Sequence, residues 1–199
     1  MLKILGKTWG LLAAALLAAC SGGAKVDVPA DAVIQLSDQF SSDFALIDQN
    51  GKPTADEDFR GRVMIVYFGF ATCPDVCPMA LGALSVALND LSAAERAKVA
   101  PIFITVDPER DTPEALKAYL AHDARIIALT GAPDAVAAAL RSFKIFARKV
   151  PLPNSALGYT MDHSSLFYIV DKEGRPSFAL RDGLTGAQLA ELLRRSIKS

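Results

Sequence analysis

The chain has 199 residues, 51% of them apolar, with 21 Lys+Arg against 22 Asp+Glu and a formal net charge of −1. That length suits one domain, the apolar content excludes wholesale disorder, and the lack of a basic excess argues against a nucleic-acid partner. Three cysteines are an odd number, so not every thiol can be consumed in a structural bridge.

Residues 1–19 carry Lys3 and Lys7, then an apolar run from Leu11 to Ala19, with no acidic residue. A cationic start, a short apolar middle and small residues at the end describe an export signal. The run falls short of the roughly 20 residues that a membrane span requires. Leu17-Ala18-Ala19-Cys20 resembles the lipobox of bacterial lipoproteins, in which the cysteine becomes the lipidated first residue after cleavage. The competing reading is an uncleaved anchor with an incidental cysteine. The expected product is an exported lipoprotein held to the membrane through Cys20, facing the periplasm or another extracytoplasmic space. Cleavage removes Trp9, the only tryptophan, and leaves Cys73 and Cys77 as the free thiols.

Residues 20–42 contain Gly22-Gly23 and Pro29 among scattered polar residues and read as a lipid-anchored tether. The folded domain is expected over residues 43–199. Phe44 to Ile47 forms a short strand, followed by an Asn50-Gly51 turn. Val63 to Phe68 is a continuous β-branched and aromatic run that suits a buried central strand. Leu81, Leu84, Leu88 and Leu91 then fall on one helical face. Ile102 to Val106 is a second buried strand. Thr112 caps a helix with Pro113 at its first position. A third strand follows at Ile126 to Leu129, then a helix presenting Val136, Leu140 and Phe143. Leu166 to Val170 and Ser177 to Leu180 pair around Glu173-Gly174. Thr185 and Gln188 cap a final helix with Leu189, Leu192 and Leu193 inward. This alternation points to an α/β, thioredoxin-like fold, a central mixed sheet flanked by helices.

Cys73-Pro74-Asp75-Val76-Cys77-Pro78 sits where the first buried strand hands over to a helix, the sheet edge at which open α/β folds place their ligands. The prolines disfavour helical backbone at both cysteines. Pro78 suits the first helical position, which puts Cys77 at or near the N-cap, where the helix field favours a thiolate. A mature chain of this size buries about 70% of its unfolded surface and needs no staple, so the pair is there for chemistry. Two such thiols can oxidise to a disulfide or clamp a soft metal. The usual redox spacing is two intervening residues; here there are three.

The chain resembles the SCO/SenC copper chaperones for cytochrome c oxidase assembly. The resemblance runs from about Asp43 to Arg175 through Tyr67-Phe68-Gly69-Phe70, the cysteine loop, Val106-Asp107-Pro108-Glu109-Arg110-Asp111-Thr112-Pro113 and Asp162-His163-Ser164. Ala71 is a local departure that leaves the ligand positions intact. The resemblance implies that Cys73, Cys77 and His163 bind copper, as Cu(I) or Cu(II), and that the two cysteines form a disulfide when oxidised. It also implies delivery of copper to the CuA site of oxidase subunit II, or reduction of that site's cysteines.

Two thiolates and an imidazole are a soft, three-ligand set that suits Cu(I), whereas structural Zn(II) normally takes four protein ligands. No proline lies between Pro153 and Pro176, so the cis-proline usual before the corresponding strand of thioredoxin-like oxidoreductases is missing. His122, near the end of a helix, is explained by the helix dipole. Met161 reads as packing, with a soft thioether ligand beside His163 as the alternative, and Asp162 could supply an oxygen. Asp107 reads as a strand-end residue rather than a partner contact, and Glu109 and Arg110 as solvent-facing or partner-facing. The alternative function is a membrane-tethered thiol–disulfide reductase using Cys73 and Cys77 catalytically, or a redox or copper sensor on the same atoms. A peroxidase lacks a convincing motif upstream of Cys73.

Overall fold

Two seven-residue apolar runs, β4 (Val63–Gly69) and β5 (Val99–Thr105), are buried along their whole length and pair in parallel. Strands hidden on both faces require layers above and below them. The computed structural model describes residues 26–199, and in that range these two strands form the centre of an eight-stranded mixed sheet. The other members are β1 (Val33–Gln35), β2 (Ala45–Asp48), β3 (Pro53–Ala55), β6 (Ile127–Thr130), β9 (Leu166–Val170) and β10 (Pro176–Arg181). Their spatial order is β1-β10-β9-β4-β5-β6-β2-β3. β6 joins β5 in parallel, and β9 runs antiparallel to β4. A separate hairpin pairs β7 (Ala147–Pro151) with β8 (Tyr159–His163).

The helices are α1 (Val76–Asp90), α2 (Ala93–Arg96), α3 (Pro113–Tyr119), α4 (Pro133–Ser142) and α5 (Gly186–Lys198). The caps expected at Thr112 and Thr185 are present: Thr112 accepts from the Ala115 N–H, and Thr185 forms a capping box with Gln188. Helices α1 and α5 pack so closely that a Cβ on Gly186 would lie 2.4 Å from Val86. The turn between β9 and β10 closes at Gly174, with φ +84°, and Arg60 crosses directly over it.

Five elements, β1, β3, α2, β7 and β8, are absent from the expectation. The fold begins before Asp43, because Val33, Ile34 and Gln35 pair with Leu180, Ala179 and Phe178 and cover the edge of β10. The strand is too short for its pattern to show in the sequence. β3 and the β7–β8 hairpin are also additions. The hairpin strands are mostly half-buried or exposed and so carry no apolar alternation. The leader over 1–19, the lipidated Cys20 and the first residues of the expected tether lie outside the described residues. Among those that are described, no helix is long and apolar enough to cross a membrane.

Behind α1, Asp123 accepts a fork from Arg125, with Nε and Nη2 each donating at 2.7 Å. Arg125 also donates to Asn89 Oδ1 and the Ser85 carbonyl, tying this turn to α1. The Arg125 hydrogen bonds hold the Asp123 carboxyl down from the ordinary 3.8 to about 2. A depressed carboxylate adds stability that is present above the unfolded value and lost as pH falls through the folded one. Urea unfolding at pH 7 and pH 3 is therefore expected to show Asp123→Asn losing less stability on acidification than the wild type.

Candidate metal centre

Parallel pairing of β4 with β5 places Gly69 opposite Thr105, so the loops that follow both strands emerge at one sheet edge. Since β9 is antiparallel to β4, it begins at that same edge, directly after His163. The topology thus closes a sequence separation of 86 residues and leaves His163 Nε2 3.9 Å from Cys77 Sγ.

His163 is held by three features. Its Nδ1 lies 3.0 Å from the Ser164 carbonyl; a carbonyl only accepts, so Nδ1 carries the proton and the Nε2 lone pair faces the sulfur. The ring meets Phe70 edge-on at 5.7 Å and 87°. Burial pushes its pKa down, outweighing the Ser164 hydrogen bond and the nearby Asp162. The imidazole is therefore neutral near pH 7, the form that ligates metals.

Cys77 lies differently from the expectation. Asp75 is the N-cap and Val76 opens α1, so Cys77 is the second helical residue and Pro78 the third. Proline is tolerated there because first-turn N–H groups have no intrahelical partner. The Cys77 side chain is fully buried. Burial, reinforced by the neighbouring Cys73 thiol and only partly offset by the Phe70 backbone N–H and the Tyr67 hydroxyl, pushes its pKa up to about 12. Desolvation beats the helix field, and the resting group is a neutral thiol rather than the expected thiolate. Cys73 is half-exposed in the loop before the helix, and both cysteines are unbridged. Phe70, Cys73, Met161 and His163 line one open cavity of about 260 Å³. Among the described residues no three His, Cys, Asp or Glu side chains converge tightly enough to hold an ion as they stand.

Two residues absent from the sequence-based site assignment build its floor. Gly69 has no room for a side chain, because a Cβ would lie 2.9 Å from Cys77 Sγ and 2.8 Å from Phe103 Cε2. A glycine ending an otherwise bulky buried strand was the available signal. Asp111, 1% exposed, accepts from the Ala71 N–H at 3.1 Å and the Thr105 hydroxyl at 2.6 Å, fastening the cysteine loop to the end of β5. Burial raises its pKa despite those hydrogen bonds. Asp111→Ala leaves the buried Thr105 hydroxyl and the part-buried Ala71 N–H without their acceptor, so thermal or urea denaturation is expected to show a loss of about 3 kcal/mol. Asp111→Asn, which keeps one acceptor, is expected to lose less.

Asp107 is buried and accepts from the Tyr159 hydroxyl at 2.8 Å and from Arg110 Nε. It is a structural residue, as expected, but one that latches the strand carrying His163. Arg110 is corrected from a solvent or partner contact: its guanidinium lies 3.8 Å from the Tyr159 ring centroid and donates to the Tyr159 carbonyl. Glu109 pairs with Lys149 of β7. His122 is exposed and bonds the Tyr119 carbonyl at the end of α3, consistent with the helix-end reading.

The family model SCO1/SenC matches residues 33–198. The chain is 41% identical over 133 residues to SCO2-like protein RP587 of Rickettsia prowazekii, covering 66% of this chain and 64% of that protein. It is 41% identical over 134 residues to the mitochondrial protein SCO2 of Saccharomyces cerevisiae, covering 66% of this chain and 44% of that one. The chain thus spans less than two thirds of the length of these two relatives. The solved structure of Bradyrhizobium japonicum ScoI with copper bound superposes with a TM-score of 0.73 at 38% identity, covering 79% of this chain and 99% of that one.

Proposed function

The chain belongs to the SCO1/SenC family, and from that premise we propose that it binds copper through Cys73, Cys77 and His163 and hands it to the CuA site of cytochrome c oxidase subunit II. The observation that carries this reading is the His163 Nε2 lone pair aimed at the buried Cys77 sulfur across 3.9 Å, its tautomer held by Ser164. Copper bound to a relative of the same fold and 38% identity supports the choice of metal.

Two soft sulfurs and one neutral imidazole favour Cu(I). Cys77 gives up its proton when it ligates. Cys73, the half-exposed sulfur at the cavity mouth, is the donor that an incoming thiolate of the receiving subunit reaches first. Exchange of copper from one sulfur to the next then needs no free ion. The lipid on Cys20 keeps this exchange at the membrane surface, on the extracytoplasmic side. A thiol–disulfide reductase built on the same pair would attack through the half-exposed Cys73, since Cys77 is buried.

The test is a titration of the reduced full chain with Cu(I) against a competing chelator, followed by mixing with the apo CuA domain. One tightly bound equivalent, later recovered in the acceptor, is the expected result. Weak or absent uptake overturns the reading. Dithiol exchange that proceeds without metal and survives His163→Ala would establish the reductase in its place.

A further inference from the structure

Cys73 and His163 line an open cavity, and the other groups lining it differ sharply in chemistry. Phe70, Pro74 and Val76 bring no donor, whereas Thr160 and Ser165 bring hydroxyls and Asp75, the N-cap residue of α1, brings a carboxylate, hard ligands that a soft ion disfavours. Asp162 is turned to Arg148, whose Nε donates to it at 3.1 Å. Met161 is the remaining donor, a soft, uncharged thioether. It stands two residues before His163 on β8, so the two side chains leave the strand on the same face, and both line the cavity together with Cys73. The half-buried Met161 packs against the edge of the core, which holds it beside the site. The latch of Tyr159 onto Asp107, two further residues back on that face, fixes the strand that carries both.

Resting on the copper reading above, we infer that Met161 supplies a thioether ligand to Cu(I) at the Cys73–Cys77–His163 site. A thioether takes part without losing a proton, and it discriminates for Cu(I) against harder ions. It is also the weakest of the four donors and the one a receiving protein displaces at least cost.

Selenium reports this contact directly. The full chain contains four methionines, of which Met64 is buried in β4 and Met79 is 69% exposed on α1. In selenomethionine-labelled chain carrying one equivalent of Cu(I), selenium-edge X-ray absorption is expected to show copper bonded to selenium. The signal is expected to persist in Met79→Leu and vanish in Met161→Leu, a near-isosteric change, with Cu(I) affinity falling roughly tenfold, the scale seen on losing a secondary contact at other metal sites. One equivalent of copper bound without a selenium–copper contact overturns the inference and leaves the copper reading standing. A contact that survives Met161→Leu also overturns it. A chain that takes up no Cu(I) overturns both.

Discussion

Cys77→Ala and His163→Ala are each expected to lower the Cu(I) affinity of the reduced chain by about 100-fold or more, exceeding the 10–100-fold typical of losing an outer partner. The two losses differ in their pH dependence, because the two donors rest in different protonation states. Burial holds Cys77 as a thiol with a pKa of about 12, so copper must displace its proton throughout the neutral range. That proton alone makes affinity fall about tenfold for each pH unit of acidification. Burial shifts His163 the other way, toward the neutral base, so near pH 7 it has no proton to release. Chelator competition at pH 6, 7 and 8 is thus expected to show a shallower slope for Cys77→Ala. For His163→Ala the slope over pH 7 to 8 should stay near that of the wild type while the whole curve drops. Equal slopes for wild type and Cys77→Ala would show that the buried sulfur is not a ligand.

Gly69→Ala is expected to damage fold and site together. The added methyl would meet the Cys77 sulfur at 2.9 Å and the Phe103 ring at 2.8 Å, and neither can retreat cheaply. Phe103 is fully buried, with Tyr67 on one side at 6.5 Å and Tyr119 on another at 5.8 Å between ring centroids. Cys77 is fixed to the first turn of α1. Overpacking of this kind costs about 1–3 kcal/mol, read as a lower urea midpoint. Whatever part of the clash is relieved by moving Cys77 disturbs its 3.9 Å approach to His163, so Cu(I) affinity should fall as well. Gly82, where a Cβ meets nothing within 4 Å, provides the control: Gly82→Ala in the interior of α1 is expected to leave Cu(I) affinity near wild type and to raise the urea midpoint, since alanine is the better helix former by about 1 kcal/mol.

The sequence determined what depends on local pattern. The two central strands are readable because a strand buried on both faces must be apolar throughout, as Val63 to Phe68 is. The caps at Thr112 and Thr185 are readable because capping uses residues three apart. The proposed donors Cys73, Cys77 and His163 are legible by residue type and by motif. The tertiary structure alone decided how these meet. The 86-residue gap between Cys77 and His163 closes because β9 runs antiparallel to β4 and starts at its far end. The hairpin that carries His163 exposes too much of both faces to show a period, and its latch joins Tyr159 to an aspartate 52 residues away. Asp111 fastens a loop 40 residues upstream. The protonation of Cys77 was likewise undecidable from its neighbours in sequence. They place it at or near a helix N-cap, which favours a thiolate; the packed strands and helices around it remove the water a thiolate needs, and that desolvation prevails.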